Sequence, residues 1–460
     1  MVLGALALVL IVGAVVLVVA LTREDSSAGE SAAGAPAAPQ APQLASAWRI
    51  DSDAVDYPKF HRYDEVTKQV MVHDGQVIRL GAVSAQGMNP RTGEILWETP
   101  LPENAHLCGA SLGTDGTLLA ITYSPEREKE CISVAVIDVT TGEVRDQDFV
   151  RAELGDLLVE TQGESLYRAH PLQALTEDMR SKRGVDVFKQ DRTGAPLWQV
   201  KIPNCFEAED MRASAEVVLV LARCSPDEAA GEELVYGGVY RVSALDAHTG
   251  ERLWVTRVAT GEDDYLPALL AADPPVLVHQ QFDSDCCWQQ WYEVLDRETG
   301  EQVFTHEPGR GEYRAAGLSR HWFSQFSATA FAIVDDTMIV GTWPDGSEDV
   351  AQQSRQLIGL DLATGTERWR TELPRGRAAP QLAQDGEGTL YVYNALNPEL
   401  YRLDPRTGQT RLLARLDNPW QGQTETHAPE YHPQVLDGML VLFPSSRWLD
   451  IDAIAFELPG

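Results

Sequence analysis

Short runs of alternating apolar and polar residues fill most of this chain, and seven of them end alike. Each closes on Asp or a stand-in, two or three residues, and Thr-Gly, after which a second alternating run begins. The clearest copies are Ala244-Leu245-Asp246-Ala247-His248-Thr249-Gly250-Glu251-Arg252-Leu253-Trp254 and Leu360-Asp361-Leu362-Ala363-Thr364-Gly365-Thr366-Glu367-Arg368-Trp369. A hydrophobic period of two predicts half-buried strands, and the cluster between the runs predicts a tight turn. Gly supplies positive φ at no steric cost, while Asp and Thr side chains bond nearby backbone groups. The pairs open at Thr92, Thr141, Thr193, Thr249, Thr299, Thr364 and Thr407. A unit of several short strands repeating every ~40 to 65 residues is the pattern of a β-propeller.

An aromatic follows the turn in five copies (Trp97, Trp198, Trp254, Phe304 and Trp369), placed to pack between neighbouring blades. The copies degrade: Asn89 replaces the Asp of the first, Gln190 stands at that position in the third, and Leu412 lies near the aromatic position of the seventh. The Asp residues read as turn caps rather than metal ligands. Inner strands follow turn clusters at Gly113 to Gly116 and Asp385 to Gly388. The tail adds an eighth unit, Met439 to Phe443 and Ile451 to Phe456, with no Thr-Gly after it. Residues Ala47 to Val55 precede the first blade and are expected to supply its missing outer strand, closing the ring and removing an open edge. The expected fold is all-β, an eight-bladed propeller with seven blades as the alternative.

The motif Ala-x-Asp-x-x-Thr-Gly-x-x-x-Trp resembles the PQQ-like propeller repeat, found in quinoprotein alcohol dehydrogenases and in the lipoprotein subunit of the bacterial outer-membrane assembly machine. The resemblance runs from Ala47 to the C-terminus. It implies the fold; activity is a separate matter, because members of this broad family include many that bind no PQQ.

Ahead of the propeller, Val2 to Leu21 is an uncharged apolar stretch long enough to cross a bilayer as one helix. No small-x-small cleavage site follows at once, so residues 1–21 are expected to be an uncleaved transmembrane anchor, with a cleaved secretion signal as the alternative. Residues 22–46, rich in Ala, Pro, Gly, Ser and Gln, read as a disordered linker. Residues 47–460 are then the propeller. Net charge is −32, with 69 acidic against 37 basic side chains. That balance excludes a general nucleic-acid binder and disfavours docking onto anionic lipid.

Six cysteines occur as Cys108 and Cys131, Cys205 and Cys224, and the adjacent Cys286 and Cys287. Outside the cytoplasm an even count with each of the first two pairs inside one repeat predicts intra-blade disulfides. Cys205 opens one strand and Cys224 closes the next, so antiparallel pairing brings them together. Cys108 and Cys131 sit at the corresponding edge of an earlier blade, across the loop Ser124 to Glu130. The remaining two would form a vicinal bond in the segment Phe282 to Trp288, between two strands on the face opposite the Thr-Gly turns. Strained bonds of that kind mark functional loops. Quinoprotein dehydrogenases stack such a bond on the PQQ ring, so the resemblance implies an enzymatic alternative with PQQ and Ca²⁺. Against it, the pair lies late in the chain, and no Cys-x-x-Cys-His haem site is present. Asp283 and Asp285 alone do not make a Ca²⁺ cage.

The candidate binding-face loops are therefore Asp283, Asp285 and Trp288, together with Arg310, Arg314, Arg320 and Trp322 in the connection His306 to Ser324; Arg and Trp are enriched at binding hot spots. His427, Glu430 and His432 match no zinc spacing. No nucleophile elbow, phosphate loop or hydrolase motif occurs, so no catalytic residue and no resident cofactor is expected. The functional expectation is a membrane-tethered extracytoplasmic scaffold binding a protein, peptide or envelope component, with a quinoprotein-like oxidoreductase or PQQ sensor as the alternative.

Overall fold

The computed structural model describes residues 41–51, 69–73, 75–80, 84–101, 106–111, 116–124, 133–149, 157–172, 184–225, 239–258, 265–282, 288–307, 318–321, 325–328, 330–342, 355–373, 380–394, 397–417, 431–444 and 451–459. The expected membrane helix and residues 22–40 of the expected linker lie outside them. Among the described residues no helix is long and apolar enough to cross a membrane.

Eight four-stranded antiparallel sheets follow one another along the chain. Blade 1 is Gln69–His73, Gln76–Leu80, Ser84–Met88 and Ile95–Pro100; blade 2 is His106–Ala110, Leu118–Ser124, Ser133–Asp138 and Val144–Phe149. Blade 3 is Leu158–Gln162, Ser165–Leu172, Gly184–Asp191 and Pro196–Pro203; blade 4 is Cys205–Ala213, Val217–Cys224, Val239–Asp246 and Arg252–Arg257. Blade 5 is Tyr265–Ala272, Pro275–Phe282, Trp288–Leu295 and Gln302–His306; blade 6 is Phe331–Val334, Thr337–Thr342, Arg355–Asp361 and Glu367–Leu373. Blade 7 is Gln381–Gln384, Leu390–Asn394, Glu399–Leu403 and Thr410–Leu416. Blade 8 takes Tyr431–Leu436, Met439–Pro444 and Ile451–Glu457 from the C-terminus and Ser46–Asp51 from the N-terminal side.

The expected terminal closure is therefore present, and it settles the blade number at eight. Ser46–Asp51 runs antiparallel to Ile451–Glu457, with Arg49 opposite Ile454 and Ile50 opposite Ala453; residues 52–55 lie outside the described residues. The end of the expected linker is strand rather than coil. Gln43–Leu44 adds a fifth, parallel strand to blade 7, Leu44 opposite Leu416, with Leu44 packed on Ala414, Leu416 and Phe456. One apolar residue at a sheet edge is enough to order that end of the linker.

Among the described residues eight apolar clusters occupy the eight seams between blades. At most seams the aromatic of one blade locks onto the Thr-Gly turn of the next. Trp97 Nε1 donates to Val139 O at 2.7 Å, Trp254 Nε1 to Arg297 O at 2.8 Å and Trp369 Nε1 to Pro405 O at 2.8 Å. The turn glycine lies flat on the indole: a Cβ at Gly250, where φ is 74°, would come within 2.8 Å of the Trp198 ring. Two residues on, Thr99 and Thr256 donate to the same turns at Gly142 O (2.5 Å) and Gly300 O (2.6 Å). Trp48, on the N-terminal strand, is the eighth blade's copy: its Nε1 donates to Pro90 O at 2.8 Å, and Gly93 rests on its ring. Ring closure thus uses both a strand and a docked indole.

The turns follow the expected chemistry. Asp246 Oδ1 accepts the backbone N–H of His248 and Thr249 at 2.9 and 2.7 Å and the Thr249 hydroxyl at 2.9 Å. The third copy differs from the sequence reading. Asp191, not Gln190, caps a turn one residue shorter, accepting from the Thr193 N–H at 2.8 Å and hydroxyl at 2.6 Å. Arg368 at Asp361, Arg145 with Thr140 against burial at Asp138, and the turn bonds themselves favour the ionised form and hold Asp138, Asp191, Asp246, Asp296, Asp361 and Asp404 below the usual carboxylate range.

Candidate functional site

Strand direction gives the propeller two unlike ends. The first-to-second strand hairpins share one end with the Thr-Gly turns and are short, as between Gln162 and Ser165, Val334 and Thr337, or Leu436 and Met439. At the opposite end the strands are separated by much longer stretches: Cys224 to Val239, His306 to Leu318, Thr342 to Arg355 and Leu416 to Tyr431. Variable, longer connections on a rigid frame are where binding surfaces are usually built.

Several described groups stiffen this loop-bearing end. Cys205 and Cys224 are register partners across the first two strands of blade 4 and are joined by a disulfide, both buried. Beside it Ser225 N donates to Asn204 O at 2.7 Å, and Arg241 Nη1 to Ser225 O at 3.2 Å. Arg223 lies between Glu209 at 2.5 Å and Glu207 at 3.5 Å and sits over the Tyr240 ring, 5.6 Å from its centroid. A groove of about 400 Å³ beneath, between the outer strands of blades 3 and 4, is lined by Ile202, Asn204, Arg241, Ser243 and Arg252.

In blade 5 the last rung before the Cys286-Cys287 segment is Phe282 opposite Trp288. Below it His279, fully buried, bonds Glu293 Oε2 through Nε2 at 2.9 Å and stacks on Trp291 with ring centroids 5.0 Å apart and 3° between planes. Gln290 Nε2 donates to Tyr292 OH at 2.9 Å; Tyr292 is completely buried, which raises its phenol well above its ordinary value. Nearer the axis, Asp210 ties two blades. Its Oδ1 accepts from Met211 N at 2.8 Å and from Arg212 at 3.0 Å, while Oδ2 accepts from Leu269 N of blade 5 at 2.8 Å. Burial pushes its carboxyl up to about 6, with Arg212 and the two N–H donors opposing.

Glu293 and Trp291 hold His279 inside a strand pair, and Asp210 is saturated by backbone and guanidinium donors. Among the described residues no group of three His, Cys, Asp or Glu is placed to hold a metal ion.

Of the sequence-predicted residues, the structure joins Cys205 to Cys224 and places Trp288 at the start of its strand. Cys108 lies in the inner strand His106–Ala110. Arg320 lies opposite Phe326 in an added two-stranded hairpin, Leu318–His321 with Gln325–Ala328, beside the inner strand of blade 5. His432 lies in the first strand of blade 8. Cys131, Asp283, Asp285, Cys286, Cys287, Arg310, Arg314, Trp322, His427 and Glu430 lie outside the described residues. Sequence reasoning missed the His279, Trp291 and Glu293 cluster and the Asp210 tie. The signal was there in part: polar residues at inward positions of otherwise apolar strands, as in His279-Gln280-Gln281 and Gln289-Gln290.

Residues 353–449, about a fifth of the chain, match the family described as outer membrane protein assembly factor BamB, a PQQ-like repeat family. No curated protein sequence matches the chain. Among solved structures, BamB from Moraxella catarrhalis is similar with 16% identity over 85% of this chain and 96% of its own, at a TM-score of 0.45. Quinohemoprotein alcohol dehydrogenase ADHIIG from Pseudomonas putida HK5 shows 12% identity over 91% and 77%, at 0.49. The quinohemoprotein alcohol dehydrogenase from Comamonas testosteroni shows 10% over 91% and 76%, at 0.46.

Proposed function

We propose that this chain, a β-propeller of PQQ-like repeats, is a non-catalytic scaffold, tethered to the cytoplasmic membrane by residues 2–21 and carrying its propeller on the extracytoplasmic side. It binds a protein, peptide or cell-envelope component through the loop-bearing end. The observation that carries this reading is the contrast between the two ends: turns of a few residues at one, long connections at the other, over strands braced by a disulfide, the Arg223–Glu209 ion pair and the hydrogen bond of buried His279 to Glu293. The family match of residues 353–449 to an assembly factor supports the same reading.

Crosslinking in native membranes, followed by mass spectrometry, tests it. Crosslinks to one partner through residues of the connections at 226–238, 308–317, 343–354 or 418–430 are expected. Crosslinks confined to the Thr-Gly turns would reverse the assignment of faces.

The adjacent Cys286 and Cys287, which fall in sequence between two paired strands of blade 5, favour a second reading, a quinoprotein-like oxidoreductase or PQQ sensor. PQQ with Ca²⁺ added to the purified protein distinguishes the two. An unchanged PQQ spectrum and no dye reduction with alcohols or sugars are expected of the scaffold.

A further inference from the structure

The Thr-Gly end of blade 7 carries an arrangement the scaffold reading does not use. Arg402 and Arg411 stand directly opposite each other on its third and fourth strands. Both are exposed, and neither has a partner among the described residues. Like charges at directly opposed positions destabilise a sheet. Other exposed arginines at the same end hold carboxylates, as Arg368 does with Asp336 and Asp361 and Arg406 with Asp335, whereas these two face each other.

Local sequence explains the space around them. Arg402 and Arg411 lie on the same side of the blade as Leu400 and Ala414, which pack toward blade 8. At this seam the docking device is missing on both sides, since Leu412, which follows the blade 7 turn in place of an indole, packs toward blade 6, and blade 8 has no Thr-Gly turn. A cleft of about 490 Å³ is lined by the two arginines with Thr389, Thr410, Gln409 and Glu387. Asp404 also borders it, but its Oδ1 is committed to the Arg406 N–H at 2.9 Å within its own turn.

We propose that this cleft binds a phosphate group. Two guanidiniums side by side offer the planar N–H forks that match phosphate oxygens, and the threonine hydroxyls and the Gln409 amide add neutral donors. Glu387, the carboxylate of the lining outside the Asp404 turn, suits a hydroxyl on the group that carries the phosphate. Binding relieves the repulsion between the arginines, so ligand and fold stabilise each other.

Thermal unfolding of the full-length protein tests the site, with sodium phosphate and sn-glycerol 3-phosphate compared with sodium chloride at matched ionic strength. A saturable rise in melting temperature with phosphate and none with chloride is expected. Arg402→Gln and Arg411→Gln should each leave the ligand-free melting temperature equal or higher and weaken binding at least tenfold, while Arg406→Gln keeps the ligand response. Co-sedimentation with phosphatidylcholine vesicles containing phosphatidylglycerol identifies the carrier. Sedimentation lost in both arginine variants assigns a lipid headgroup, and a response to soluble phosphate without sedimentation assigns a soluble phosphate ester. Wild-type protein that answers to neither probe, or a response that survives in the Arg402→Gln/Arg411→Gln protein, overturns the proposal.

Discussion

A glycine, an indole and, at several seams, a threonine dock one blade onto the next beside the apolar clusters, and each can be tested singly. Gly250 and Gly438 have nearly the same φ, 74° and 73°, but only Gly250 has an aromatic ring against it. Gly438→Ala should cost about 1–2 kcal/mol, the penalty for an L-residue in the left-handed region. Gly250→Ala should add overpacking of about 1–3 kcal/mol, because its Cβ meets the Trp198 ring. Equal losses in urea unfolding would show that the indole does not discriminate. Asp210 makes a different prediction. Its folded pKa lies near 6, above the value of about 3.9 for a free Asp. A group raised in this way contributes stability below the unfolded pKa and loses it as pH rises through the folded one. Wild-type stability should therefore carry a falling component from about pH 4 to 6 that is absent in Asp210→Asn.

At the scale of strands, the N-terminal segment is a structural part of the last blade. Deleting residues 43–51 removes the fifth strand of blade 7, the outer strand of blade 8 and the indole of Trp48, and it bares a sheet edge. A markedly lower melting temperature and a tendency to self-associate are expected in calorimetry and light scattering. An unchanged melting curve would count against terminal closure. Replacing Cys205 and Cys224 by Ser opens a loop spanning 19 residues and should cost about 3 kcal/mol. Replacing Cys286 and Cys287 by Ser should cost little, since adjacent residues close almost no loop. Non-reducing peptide mapping reads out both pairings.

Across the whole molecule, the acid limb of stability belongs to the turns. Six capping Asp carboxylates are held below their ordinary value, and Asp336, clasped by Arg368, is lowered to about 2. Carboxylates with depressed pKa contribute stability above the unfolded pKa and lose it as pH falls through the folded one, so unfolding should set in between about pH 4 and 2. The blades are linked through these turns, which makes a cooperative transition the expected form, checked by coincident tryptophan fluorescence and circular dichroism. For topology, protease added to intact spheroplasts should digest or release the propeller; full protection, with free thiols in the native protein, would reverse the placement.

The repeat, the turn caps, the inter-blade aromatics, the Cys205–Cys224 pair and the closing strand were all legible in the sequence, because each follows from local chemistry recurring at a fixed spacing. Asp191 as the true cap of the third turn was not, since one deleted residue shifts the register and only hydrogen bonds reveal it. Trp48 escaped notice because no Thr-Gly precedes it: its blade is split between the two ends of the chain. The His279 cluster, the Asp210 tie and the opposed Arg402 and Arg411 were likewise decided only by tertiary structure. They join residues from different strands or blades, and strand register together with the gap left by a missing docked indole sets which side chains meet.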